Sequence, residues 1–158
     1  MRAKLIRQTL DEQRRDFTRG GDPAAAMGVG MKRKIRDWLD LMNVVGYVIN
    51  DDMSVDVDGN VYVDGNVWLA GRSLTEFPYY VRFGTVNGYF GCRDNGLVSL
   101  EGCPRTVGGD FSCSVNRLVS LEGCPKTVGR DFFCIHNERK FTEEEVRNLC
   151  DVKNAVFT

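Results

Sequence analysis

Gly88–Gly108 reads GYFGCRDNGLVSLEGCPRTVG and Gly109–Gly129 reads GDFSCSVNRLVSLEGCPKTVG, identical at 15 of 21 positions. Arg130–Cys150 (RDFFCIHNERKFTEEEVRNLC) keeps the opening of the unit and then diverges. Self-similarity at a short fixed period marks a stack of coils, each too small to bury its own apolar face. By role, a central unit is F-x-C-x-x-N-x-L-x-x-L-x-x-C-P-x-x-V. On a strand, Phe111 and Cys113 point inward while Asp110, Ser112 and Ser114 point outward. Leu118 and Leu121 line the return, Gly123 and Pro125 mark a corner, and Val128 closes the turn. Asn95, Asn116 and Asn137 recur where the chain leaves the strand. There an amide can give hydrogen bonds to one coil's backbone and take them from the next.

The pattern extends outward in both directions. In NVWLAGRSLTEFP, Val67, Leu69, Leu74, Phe77 and Pro78 follow the same spacing, which predicts a degenerate first coil. Tyr47–Leu69 shows period-two alternation broken by two Asp-Gly-Asn steps, and Asp-Gly is a hairpin signal, so a small meander is expected over 47–69. Upstream, Met31, Ile35, Trp38, Leu39 and Met42 form an apolar stripe, predicting a cap helix over 31–42. Gly28 and Gly30 are expected to separate it from a turn begun by Asp22 and Pro23. A further amphipathic helix is expected over 3–17. Thr142 with Glu145 forms a capping box ahead of Val146, Leu149 and Cys150, predicting a C-terminal cap helix over 142–150. The expected class is α+β: a solenoid of about four coils with one strand each, capped by helices at both ends. Residues 1–30 are read as an appendage and 31–158 as the capped repeat domain, with coils over 66–140.

The spacing F-x-C-x-x-N-x-L-x-x-L resembles the leucine-rich-repeat signature L-x-L-x-x-N-x-L-x-x-L, with Phe and Cys in the strand positions. LVSLEGCPRTVGGDFSCSVN (Leu97–Asn116) resembles the tandem repeats of leucine-rich-repeat-like proteins of tailed bacteriophages and large DNA viruses. IRDWLDLMNVVGYVINDDMSVDVDG (Ile35–Gly59) resembles the segment preceding such arrays, and FTRGGDPAAAMGVG (Phe17–Gly30) a short stretch on assorted small phage proteins. The resemblance implies a solenoid in a viral setting. It carries no reaction and no catalytic residue.

Composition narrows the function classes. Net charge is −1 over 158 residues, with 10 basic and 6 acidic residues in 1–42. That local excess could contact nucleic acid through Arg14, Arg15, Lys32, Arg33, Lys34 and Arg36, although alternating signs favour a solvated helix face. No apolar run reaches the ~20 residues of a membrane span. The N-terminus lacks a signal-peptide core, and Asp11, Glu12 and Asp16 disfavour a transit peptide, so cytoplasmic residence is expected. Of six cysteines, Cys92, Cys113 and Cys134, and likewise Cys103 and Cys124, follow the repeat period of 21. They are read as reduced core thiols and not as disulfides or a zinc site. His136 is the only histidine, and Asp51, Asp52, Asp56 and Asp58 lack calcium-loop spacing. No metal, cofactor or enzymatic activity is expected.

What remains is the outward strand face: Asn66, Trp68 and Ala70; Tyr89, Gly91 and Arg93; Asp110, Ser112 and Ser114; Asp131, Phe133 and Ile135. Aromatics with arginine are common interface anchors. Trp68, Tyr89, Arg93, Asp110, Ser112, Asp131, Phe133 and Ile135 are therefore the candidate protein-binding residues. The competing reading is that the N-terminal helices fold over this face. Self-association in an assembly is a further alternative.

Overall fold

A computed structural model describes residues 23–50 and 59–158. Helix α1 (Pro23–Leu41) leads into β1 (Tyr47–Ile49). Ten short strands follow: β2 (Val61–Val63), β3 (Val67–Trp68), β4 (Phe83–Val86), β5 (Phe90–Gly91), β6 (Thr106–Val107), β7 (Phe111–Ser112), β8 (Thr127–Val128), β9 (Phe132–Phe133), β10 (Asp151–Val152) and β11 (Val156–Phe157). Helix α2 (Glu143–Leu149) lies between β9 and β10. The strands form two sheets, in the orders β1-β2-β4-β6-β8-β10 and β3-β5-β7-β9-β11. All pairings are parallel except β1 with β2.

The chain is thus a solenoid of strand coils with five turns, each turn adding one rung to both sheets. Two features differ from the sequence reading. Each coil carries two strands, because Val86, Val107, Val128 and Val152 do not merely close a turn; they form a second ladder with the residue before each. A fifth turn is also present. Asp151–Thr158 (DVKNAVFT) repeats the roles of Thr127–Cys134 (TVGRDFFC), with Val152 paired to Val128 and Val156 to Phe132. The C-terminal helix is therefore part of the last turn and is followed by two more strands.

The expected meander is only partly present. β1 and β2 form an antiparallel pair, but Asp64–Gly65–Asn66 is not a hairpin: it is the corner by which the chain crosses from one sheet to the other. The equivalent corner recurs at Gly108–Gly109, where the amides of Gly108 and Gly109 donate to Val86 and Gly88. A Cβ on Gly129 would collide with the Gly108 carbonyl, so the corners need glycine for close backbone approach.

The core is built from stacked identical positions. Phe90, Phe111 and Phe132 are fully buried, with ring centroids 5.9 Å and 5.0 Å apart. Leu97, Leu100, Leu118 and Leu121 line the return, and Cys92, Cys113 and Cys134 follow the phenylalanines. All six cysteines are free and buried. Burial raises the Cys124 and Cys134 thiols to about 11 and Cys150 to about 12, and holds Cys103 and Cys113 well above the usual thiol range.

α1 runs unbroken through Gly28 and Gly30, where the sequence predicted a separation. The apolar stripe explains this: Ile35 and Leu39 are fully buried, and Trp38 meets Phe77 and Phe83 edge-on at 6.4 Å each. That anchorage outweighs the roughly 1 kcal/mol that a glycine costs in a helix. The helix packs Ile35, Trp38 and Leu39 onto the first turns of the stack. The helix predicted over 3–17 lies outside the described residues. α2 has the predicted capping box, with Thr142 Oγ1 accepting from the Glu145 amide and Glu145 Oε2 accepting from the Thr142 amide.

Candidate interaction surface

The site is assembled from the coil register. Parallel pairing sets Trp68 beside Gly91, Gly91 beside Ser112, Ser112 beside Phe133, and Phe133 beside Phe157. These side chains share the outer face of the five-stranded sheet because alternate residues (Val67, Phe90, Phe111, Phe132) fill the core. α1 packs at the end of the stack and leaves this face open: Trp68 is 61% exposed and Phe157 44%.

Two aromatic stacks border a strip, termed the trough, in which the outward residues of the central coil are the small serines Ser112 and Ser114. At one side Trp68 and Tyr89 lie 4.2 Å apart between ring centroids, at 31°. At the other Phe133 and Phe157 are 4.6 Å apart and stacked nearly parallel, at 4°. Tyr89 reaches its place because Gly91 has no side chain; a Cβ there would strike the Tyr89 ring and hydroxyl. The Tyr89 hydroxyl hydrogen-bonds to Ser112. Burial raises its pKa, an effect reinforced by Cys92 and partly offset by the Ser112 hydrogen bond and the Arg93 charge.

The floor of the trough is polar and small. Ser112 and Ser114 are both buried, and the Ser114 hydroxyl is, among the described residues, the one buried side-chain polar atom with no hydrogen-bond partner. Arg93 and Ile135 occupy the positions equivalent to Ser114 on the flanking coils, since the Asp94 amide donates to Ser114 and the Val115 amide to Ile135. Both are exposed.

The eight sequence-selected residues do come together on one face, but they differ in role. Asp110 and Asp131 are half-buried members of an Asx ladder: Asp110 Oδ1 accepts from the Asp131 amide at 3.1 Å and Asp131 Oδ1 from the Ala155 amide at 3.0 Å. Asn66 does the same for Tyr89 at 2.8 Å. Arg130 stands 3.8 Å from Asp110. These carboxylates hold coil to coil, a role that sequence reading did not assign. Ser112 lies beneath Tyr89 and is not an outer contact. Phe157 was missed, although Val156-Phe157 at the place of Phe132-Phe133 was a readable signal.

The remaining candidates are structural. Asn116 Nδ2 donates to the Cys92 and Cys113 carbonyls at 3.0 and 3.1 Å, and its Oδ1 accepts from the Leu97 amide at 3.0 Å. Asn95 and Asn137 repeat the arrangement. His136 is an exposed corner residue with φ 56°. No metal-binding group of His, Cys, Asp or Glu occurs among the described residues; Asp51, Asp52, Asp56 and Asp58 lie outside them. No helix among the described residues is long and apolar enough to cross a membrane. A separate cavity of about 520 Å³ lies between α1 and the first return, lined by Lys34, Trp38, Tyr79, Tyr80 and Arg82 among others. Comparison with family models, with curated proteins and with solved structures gives no match.

Proposed function

We propose that this chain is a non-enzymatic protein-interaction module of the leucine-rich-repeat-like, phage type, and that the outer face of the five-stranded sheet is its binding surface. The observation that carries the reading is the open aromatic pair Trp68–Tyr89 on a face that the N-terminal cap helix does not occupy. Large rings held in place by neighbouring backbone lose little side-chain entropy on binding, which is why such residues anchor interfaces. Phe133 and Ile135 extend the surface toward the far end. The repeat supplies a rigid, gently graded sheet of the kind that solenoids present to partners.

The chemistry of the thiols fits the same picture. Burial raises the pKa of Cys103, Cys113, Cys124, Cys134 and Cys150, and a protonated buried thiol is a poor nucleophile. Free thiols also fit a reducing compartment such as the cytoplasm. The test is Trp68→Ala. The side chain is largely exposed, so thermal unfolding should shift little while affinity for a protein partner falls at least about tenfold, as hot-spot aromatics do. Affinity equal to wild type for every partner recovered would remove this face from consideration.

A further inference from the structure

The trough between the two aromatic stacks has a charge requirement. Arg93 is exposed, and no carboxylate among the described residues lies within ion-pair distance of its guanidinium. The other charges of the face are already engaged, since Asp110 and Asp131 accept backbone amides and Asp110 faces Arg130. Beside Arg93 sits the Ser114 hydroxyl, shielded from solvent and lacking any acceptor. Building on the proposed binding face, we infer that the trough receives an extended acidic peptide segment, with one Asp or Glu carboxylate bridging Arg93 and Ser114 and apolar side chains resting on the two aromatic stacks.

A carboxylate suits both groups at once. The guanidinium offers a planar fork of donors, and the hydroxyl gains the acceptor it lacks. The flanking rings explain why the ligand must be more than an anion. Five strands at about 4.8 Å separation span roughly 19 Å, the length of about six extended residues. An extended hexapeptide crossing the coils therefore reaches from Trp68 to Phe157 with its centre over the middle coil, whose Ser114 lies beside Arg93 of the preceding one. Polyphosphate is disfavoured because a multiply charged anion would meet the Asp110 and Asp131 carboxylates of the same face, whereas a single carboxylate can pair with Arg93 alone. A second copy is disfavoured too. A two-fold axis through Ser112 would set aromatic stack against aromatic stack and leave the trough unfilled.

The probe is a random octapeptide display library selected on the full-length protein, followed by anisotropy measurements on the enriched synthetic peptides. Enriched peptides should carry Asp or Glu with apolar residues within two positions on either side. Arg93→Glu should weaken them at least about tenfold, and a Lys in place of the peptide acid should restore binding to that variant. Ser114→Ala should weaken them while leaving the free protein at least as stable to urea as wild type. If Trp68→Ala and Phe133→Ala abolish binding but Arg93→Glu does not, the acidic specificity is wrong and the face stands. If no peptide is enriched, or none of these variants alters binding, both fail. Displacement of the peptides by an oligothymidylate at physiological salt, or a protein that is dimeric by light scattering and blocked by Arg93→Glu, overturns the peptide assignment.

Discussion

Three of the five turns each depend on one amide and one strained corner. Asn116 bridges two coils with both ends of its side chain and is itself buried. Asn116→Ala leaves the Leu97 amide without its acceptor, while the Cys92 carbonyl keeps the Asn95 Nδ2 donor. An unsatisfied buried group costs about 1–3 kcal/mol, and urea unfolding should show a loss of that size. Directly before each asparagine stands a left-handed residue: Asp94, Val115 and His136, with φ 55°, 56° and 56°. For β-branched Val115 that conformation costs about 1–2 kcal/mol, and asparagine tolerates it far better. Val115→Asn should raise the stability by about 1 kcal/mol without altering the core, read as an increase in the urea midpoint at constant slope. The recurrence of asparagine at 21-residue spacing was enough to assign its structural role from sequence. The strain at Val115 was not legible, because a valine in the primary structure gives no sign of positive φ.

Among the elements, α2 shows how local chemistry sets a helix inside a repeat. Thr142 and Glu145 satisfy each other's backbone amides, three glutamates occupy the positive end, and Arg147 donates to the Val152 and Asn154 carbonyls that follow. Arg139 ion-pairs with Glu145. That pair, first, and the Thr142 amide hold the Glu145 carboxyl below the usual glutamate range. A depressed carboxylate pKa adds stability above the ordinary value and loses it as pH falls through the folded value. Thr142→Ala should remove about 1 kcal/mol, checked by thermal unfolding at neutral pH, and the loss should shrink as the solution is acidified. The capping box was readable because it is a four-residue signature. The continuity of α1 was not: Gly28 and Gly30 argue locally for a break, and the decisive term is the burial of Ile35 and Leu39 against coils far along the chain.

Over the whole molecule, six thiols form part of one dry interior, and this makes the stack sensitive to alkali. Burial raises the folded pKa values of Cys103, Cys113, Cys124, Cys134 and Cys150, to about 11 for Cys124 and Cys134 and about 12 for Cys150. An acid whose folded pKa is raised leaves stability intact below its ordinary value and withdraws it as pH climbs toward the folded value. Stability should hold to roughly pH 8.5, the free-cysteine value, and then fall as pH rises toward 11. Urea midpoints measured across that range check the sign. At pH 8 a thiol-specific chromophoric reagent should find no fast-reacting group in the native protein and six after denaturation; immediate reaction of several would contradict a sealed column. The period of 21, the inward Phe and Cys positions, the asparagine bridges and the capping box follow from side-chain type and spacing, because local geometry repeats wherever the residues do. The second sheet, the fifth turn and the trough between Trp68–Tyr89 and Phe133–Phe157 arise from pairing between turns. That pairing joins residues about 21 positions apart and depends on how backbones meet across the stack, a relation that no single coil encodes.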